Sequence, residues 1–179
     1  TEDLEQTLTE HSLTWCRSPL DAPFTAIVGR PSLAGKEDLA VIFATSGTTG
    51  LPKAVPLSHG NLMHNAQTVF KELTELKEGD ILLNVLPNFH SFGFTVAGLM
   101  PLICGMKQTV LPSFMPPHKT LETICVSQTN VLIIVPTMLT FLTSSIDHGA
   151  PCPKGVKLIV SGGDRLNVQL DKKVEDYFG

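Results

Sequence analysis

The stretch Ala44-Thr45-Ser46-Gly47-Thr48-Thr49-Gly50-Leu51-Pro52-Lys53 constrains this chain more than any other. It leaves an apolar run, joins that strand to a helix, and carries hydroxyls, glycines and a lysine in close order. Gly47 and Gly50 let the backbone turn with positive φ and aim successive amides at one point, which makes an anion-binding concavity. The hydroxyls of Thr45, Ser46, Thr48 and Thr49 add donors that rotate toward oxygens, and Lys53 brings a positive charge. A plain polar turn needs neither that density of donors nor the closing Pro-Lys. The loop is not a Walker A motif, which requires G-x-x-x-x-G-K-[ST]: the residue five after Gly47 is Pro52, and Ala54 follows Lys53. A phosphate-binding loop of another kind is the expectation.

With 179 residues, 42% of them hydrophobic, the chain can bury a core of one domain or a little more. Its longest apolar stretch, residues 92–104, is broken by Thr95, Gly98 and Pro101 and is too short to span a bilayer. A net charge of −4 with no basic block argues against nucleic acid as the main partner and gives no pull toward anionic lipid. Cys16, Cys104, Cys125 and Cys152 are widely spaced, form no C-x-x-C pair and follow no secretory signal. They read as reduced thiols of a cytoplasmic protein, with Cys104 and Cys125 expected to be buried packing residues. The chain starts at Thr1 without methionine and stops at Gly179 directly after a helical pattern, so it reads as a fragment of something longer.

Residues 1–38 form an irregular N-terminal arm on the evidence of Pro19, Pro23, Pro31, Gly29 and Gly35. A short helix is expected over Leu4 and Leu8, with Trp15 and Phe24 pinning the arm to the body. From residue 39 strand and helix signals alternate. The run 39–44 predicts a strand buried on both faces, and 54–57 a short return strand. Ser58 caps a helix carrying Leu62, Ala66, Val69, Phe70, Leu73 and Leu76 before Gly79. Strands follow at 81–86, 108–111, 131–135 and 156–160, with helices at 92–104, 117–127, 137–146 and 167–178. This rhythm predicts an α/β fold with a mainly parallel sheet flanked by helices. In such sheets ligands sit beyond the carboxyl ends of the strands, where three motif-like loops fall: 45–53, 87–93 and 161–165. Their agreement points to a single site.

The second loop, Pro87-Asn88-Phe89-His90-Ser91-Phe92-Gly93, sets a histidine among aromatics. Taken alone, His90 is more readily a structural side chain than a catalyst. The third, Ser161-Gly162-Gly163-Asp164-Arg165-Leu166, reads on its own either as a Gly-Gly turn capped by Asp164 or as a close approach of backbone to a ligand. His59 and His64 are five apart on a helix and splay too far for a same-face metal pair, so no metal ligands are assigned. No G-x-S-x-G is present, which removes the nucleophile elbow of the α/β-hydrolases.

The first loop resembles the T-S-G-T-T-G-x-P-K signature of the adenylate-forming superfamily, which includes acyl-CoA synthetases, luciferases and peptide-synthetase adenylation domains, and meets every fixed position of it. The likeness covers residues 39–179, a partial adenylation domain from the central part of the family's large N-terminal domain. Within the family, 86–96 with Pro101-Leu102 looks closest to the synthetase half of bacterial 2-acylglycerophosphoethanolamine acyltransferase/acyl-acyl carrier protein synthetases. Long-chain acyl-CoA synthetases are near neighbours. The fused acyltransferase half carries H-x-x-x-x-D, and none of the six histidines has an aspartate five residues on.

The resemblance implies attack of a fatty carboxylate on the α-phosphorus of ATP, then transfer of the acyl group to a phosphopantetheine thiol of CoA or an acyl carrier protein. It implies nucleotide binding by Thr45, Ser46, Gly47, Thr48, Thr49, Gly50 and Lys53, with Gly162, Gly163 and Asp164 at the adenine. Lys53 and His90 would be catalytic, and Phe89, His90, Phe92, Gly93 and Arg165 would line the acyl pocket. Asp164 and Arg165 stand where the family usually has Ala and Pro, so these two carry over less directly than the glycines. The main Mg²⁺ ligand, a Glu in an aromatic-Gly-x-Thr-Glu motif, is expected beyond Gly179, and so is the mobile C-terminal domain. The fragment alone is therefore expected to be inactive. A cytoplasmic enzyme follows, with membrane association of the full-length protein left open. Two other readings are a non-catalytic nucleotide- or acyl-binding module and a phosphate-binding α/β protein unrelated to adenylation.

Overall fold

The computed structural model describes residues 35–45 and 53–179. The expected helix at Leu4 and Leu8, the anchors Trp15 and Phe24, Cys16, and loop residues Ser46 to Gly50 lie outside the described residues. The chain divides into two compact units, one running to Leu62 and the other from Met63 to Gly179.

In the first unit β1 (Leu39–Thr45) and β2 (Lys53–Ser58) pair antiparallel, from Leu39 opposite Ser58 to Thr45 opposite Lys53. This corrects two expectations. Residues 39–44 are not a strand buried on both faces within the parallel sheet, and the loop after them joins two strands rather than a strand to a helix. A strand that returns after a short loop can pair only antiparallel, because a parallel neighbour needs a crossover of a dozen residues or more. Helix α1 (His59–Glu72) then begins on a reciprocal cap. The Asn61 N–H donates to Ser58 Oγ at 3.2 Å, and the Ser58 N–H donates to Asn61 Oδ1 at 3.0 Å. The helix stops at Glu72, a turn short of the Leu73 and Leu76 repeat, which continues as turns before Gly79.

The second unit holds a four-stranded parallel sheet of order β4-β3-β5-β6. Its strands are β3 (Ile81–Asn84), β4 (Lys107–Val110), β5 (Val131–Ile134) and β6 (Leu158–Ser161). Between β3 and β4 the chain winds a π-helix over Gly93–Leu99 that runs into α2 (Met100–Ile103). Helices α3 (Pro117–Ser127), α4 (Pro136–Asp147) and α5 (Val168–Phe178) follow β4, β5 and β6. Alternate strand residues feed two cores. Leu83, Leu132 and Ile134 pack with Leu121, Ile124, Leu139, Leu142 and Leu170 from α3, α4 and α5. Leu82, Val131 and Ile133 pack with Ala66, Val96, Ala97 and Met100 from α1, the π-helix and α2. Runs that are apolar at every position, such as β5, are what a sheet covered on both faces requires.

One expected helix, 92–104, is therefore π-helical in its first half, for a reason the sequence contains. Pro101 has no N–H to give to the preceding turn, and its ring would strike the carbonyl four residues back in an α-helix. The widened turn accommodates it, and the Met100 N–H reaches the Thr95 carbonyl, five residues back. Cys125 is also corrected: it is exposed, whereas Cys104 is half-buried. On α3 the inward stripe is Thr120, Leu121 and Ile124, and Cys125 stands one step of about 100° beyond Ile124.

At the amino ends of the strands, buried Asp80 gathers the sheet. Its carboxylate accepts from the Lys77 N–H at 2.7 Å and from Asn130 Nδ2 at 3.0 Å, and it pairs with Lys157 Nζ at 2.7 Å. Asn130 Oδ1 in turn accepts from the Ile81 N–H at 2.8 Å. Burial alone would raise the Asp80 pKa, but Lys157, the Lys77 N–H and Asn130 together hold it below the ordinary carboxylate value. Its stabilisation is therefore full above the unfolded pKa and is lost as pH falls through the lower folded one. Asp80→Ala takes the acceptor from the Lys77 N–H and Asn130 Nδ2 and leaves Lys157 only the Glu75 carbonyl and solvent, and we expect about 2 kcal/mol of destabilisation at pH 7. Urea unfolding at pH 7 and pH 3 checks this, with the difference between wild type and variant shrinking at the lower pH.

Candidate functional site

The sheet order makes the chain leave β3 toward β4 on one side and return past β3 to β5 on the other. Such a reversal, here beyond the carboxyl ends of β3 and β5, is where ligands bind in open α/β sheets. Two of the three sequence-predicted loops meet at it. The loop after β3 turns tightly, the His90 N–H donating to the Pro87 carbonyl at 3.1 Å and the Phe94 N–H to the His90 carbonyl at 2.8 Å. The turn closes only because residue 93 is glycine: a Cβ there would stand 2.3 Å from the Pro87 carbonyl oxygen. Phe89 is 78% exposed and lies against the exposed His90, ring centroids 4.8 Å apart at 42°.

Phe92 turns inward and joins the core on the β3 side of the sheet. Its ring covers Gly162, where an added Cβ would come within 3.1 Å of Phe92 Cζ. The Gly162 N–H donates to the Ile134 carbonyl at 3.2 Å, so the turn after β6 is held to the end of β5. Gly163 has φ +84° and passes close to Val135. Asp164 Oδ1 accepts from the Arg165 N–H at 2.7 Å, and both residues are exposed. Ser161, ahead of the glycines, has a buried hydroxyl without a hydrogen-bond partner among the described residues. Phe92, Gly93, Gly162 and Gly163 are thus brought together, with His90 and Phe89 at the exposed rim.

In the first unit, Thr45 and Lys53 face each other at the loop end of the hairpin, Thr45 Oγ1 donating to the Lys53 carbonyl at 3.4 Å. Both are exposed, so the hairpin presents the flanks of the 45–53 loop to solvent. No group of three or more His, Cys, Asp or Glu side chains among the described residues is placed to hold a metal ion.

Sequence reasoning passed over two residues behind the aromatic turn. Asn84 Nδ2 donates to Gln108 Oε1 at 2.8 Å, and Gln108 Nε2 donates to the Gly98 carbonyl at 2.9 Å. The signal available was an amide in each of two short strands, Asn84 at the end of Ile81-Leu82-Leu83-Asn84 and Gln108 second in Lys107-Gln108-Thr109-Val110.

A sequence model of the AMP-binding enzyme family matches residues 3–179. The chain belongs to that family. Among its relatives, a long-chain-fatty-acid–CoA ligase of Bacillus subtilis is 28% identical over 178 residues, 99% of this chain and 31% of that protein. A probable 4-coumarate–CoA ligase 3 of Dictyostelium discoideum is 38% identical over 143 residues, 79% of this chain and 26% of that protein. In structure, ATP-bound MatB from Rhodopseudomonas palustris superposes with a TM-score of 0.67 at 32% identity, over 80% of this chain and 28% of that one. The N-terminal domain of FACL13 from Mycobacterium tuberculosis gives 0.68 at 25% identity, over 83% and 36%. The chain thus spans about a third or less of the curated relatives it matches. The fold is that of the N-terminal domain of adenylate-forming enzymes.

The two glycines answer different constraints, and substitution separates them. Gly93→Ala drives a Cβ into main chain and is expected to cost at least about 3 kcal/mol, while Gly162→Ala meets only a ring edge and costs about 1 kcal/mol. Unfolding midpoints of the two variants check the ranking.

Proposed function

We propose that this chain is the central part of the large N-terminal domain of an enzyme that activates a fatty (carboxylic) acid with ATP and passes the acyl group to a phosphopantetheine thiol. The observation that carries the reading is Phe92 seated on Gly162 at the sheet's switch point. It sets an apolar wall beside a Gly-Gly turn whose second glycine is exposed, which suits an acyl chain next to a planar base. The 45–53 loop, with its hydroxyls and Lys53, supplies the phosphate-binding chemistry. In the proposed roles, Thr45, Ser46, Gly47, Thr48, Thr49, Gly50 and Lys53 hold phosphate, and Gly162, Gly163 and Asp164 border adenine. His90 orients the carboxylate, and Phe89, Phe92, Gly93 and Arg165 line the acyl entrance. Mg²⁺ would be held chiefly by residues outside this chain.

A carboxylic acid with a pKa of about 4 to 5 is already ionised at neutral pH, so the first step needs no strong base. One carboxylate oxygen attacks the α-phosphorus, the bond to the β-phosphate oxygen breaks, and pyrophosphate leaves. The thiolate then attacks the acyl carbon and AMP departs with the shared oxygen. Catalysis is then mainly alignment and neutralisation of charge by Lys53, the loop amides and the divalent cation. The acceptor is CoA or an acyl carrier protein. The likeness of residues 86–96 to acyl-acyl carrier protein synthetases favours the latter, and the named CoA ligases among the relatives favour the former.

In the full-length protein, Lys53→Ala and Thr48→Ala are expected to lower acid-driven pyrophosphate exchange far more than they lower the melting temperature. Loss of one charge-stabilising donor costs on the order of 3 kcal/mol of transition-state energy, about a hundredfold in rate. Wild-type exchange by either variant would overturn the role of the loop. Nucleotide binding without exchange by the unaltered protein would favour a binding module.

A further inference from the structure

The Asn84–Gln108 pair lies on the face of the sheet that carries an otherwise apolar core. Gln108 stands opposite Leu82 in the β3–β4 register, and Asn84 is two residues beyond Leu82 on the same face. Leu82 packs there with Val96, Ala97 and Met100 of the π-helix and α2. Placing two amides in such an interface is unfavourable unless they are bonded, and a pair of leucines would pack it as well. The amides spend their bonds on one thing: Gln108 holds the Gly98 carbonyl, next to last in the π-helix, and Asn84 holds Gln108 in place.

Gly98 is also where the π-helix meets the aromatic turn. A Cβ on it would lie 3.4 Å from Asn88 Oδ1 and 3.4 Å from the Gly93 carbonyl oxygen. Asn88 sits in the turn that carries His90, and Gly93 follows Phe92. A displacement of Gly98 therefore reaches both within one layer of contact. Asn84 is only 6% exposed and Gln108 is half-buried, so the clamp is set into the sheet behind the exposed aromatic turn.

We infer that Asn84 and Gln108 are positioning residues that set the acid pocket by clamping the π-helix at Gly98, which keeps Phe92 over Gly162 and His90 at the rim. The inference rests on the carboxylic-acid reading of the site. It assigns the clamp to acid recognition and leaves the phosphate-binding loop unaffected.

The test uses the full-length protein with Gln108→Met, which keeps the length of the side chain and removes both bonds, and with the double variant Asn84→Leu/Gln108→Met, which makes both partners apolar. Gln108→Met is expected to raise KM for the carboxylic acid about tenfold while KM for ATP stays within about twofold. The double variant is expected to recover much of the melting temperature, since no amide is left unpaired, but to keep the raised KM for the acid. Recovery of both together would show a merely structural pair and overturn the inference, as would parallel changes in the two KM values. Hydrogen exchange reads the clamp without turnover: amides 94–99 are expected to exchange at least about tenfold faster in Gln108→Met, and unchanged protection overturns it. Failure of the unaltered protein to exchange pyrophosphate with any acid would overturn the proposed reaction and with it the acid pocket, while hydrogen exchange would still decide the clamp.

Discussion

The second unit depends on the Asp80–Asn130–Lys157 network. Four parallel strands must start in register, and hydrophobic burial alone does not fix how far one slides along the next. Bonds from a single carboxylate and a single amide do. The Lys107 N–H donates to the Asp80 carbonyl, the Asn130 N–H to the Ile81 carbonyl and the Lys157 N–H to the Asn130 carbonyl, so the entries to β3, β4, β5 and β6 are tied to one point. With the amino ends fixed, the carboxyl ends arrive at defined heights. The turns after β3 and β6 can then meet closely enough for a ring to rest on a glycine.

The two ends of the sheet divide the labour. At the amino ends the buried Asp80 carboxylate has its hydrogen bonds and its ion pair with the exposed Lys157 satisfied within the protein, as stability requires. At the carboxyl ends Phe89, His90, Asp164 and Arg165 are exposed, and the Ser161 hydroxyl is buried without a partner among the described residues. Polar and aromatic groups left unused by the fold are what a site for a ligand consists of.

Much of this was legible in the residues. The unbroken apolar run of β5 announces a strand covered on both faces, and the Pro116-Pro117 pair opens α3 where a helix start belongs. Residues 39–44 look the same as β5 but belong to a hairpin, because an apolar run reports burial and does not name the strand it pairs with. The π-helix was hidden in a pattern that reads as an ordinary helix. Only the carbonyl that Pro101 would strike reveals it, and that is a matter of geometry rather than of hydrophobic spacing. Gly93 and Gly162 could be singled out from their loops, but their partners, the Pro87 carbonyl and the Phe92 ring, could not. The bond from Asn84 to Gln108 spans 24 positions and leaves no local trace.

The π-helix is an α-helix into which one residue too many has been wound. Each residue of an α-helix turns the chain by about 100°, so the surplus swings everything on the amino side of it around the axis by about that angle. A regular helix over the same stretch would have pointed the Phe92 side of the turn along a different bearing, away from the end of β6. The angular position of the aromatic turn is therefore an arithmetic property of the chain. Length variation between Gly93 and Pro101 should be far less tolerable among related proteins than change of side chain at the same positions.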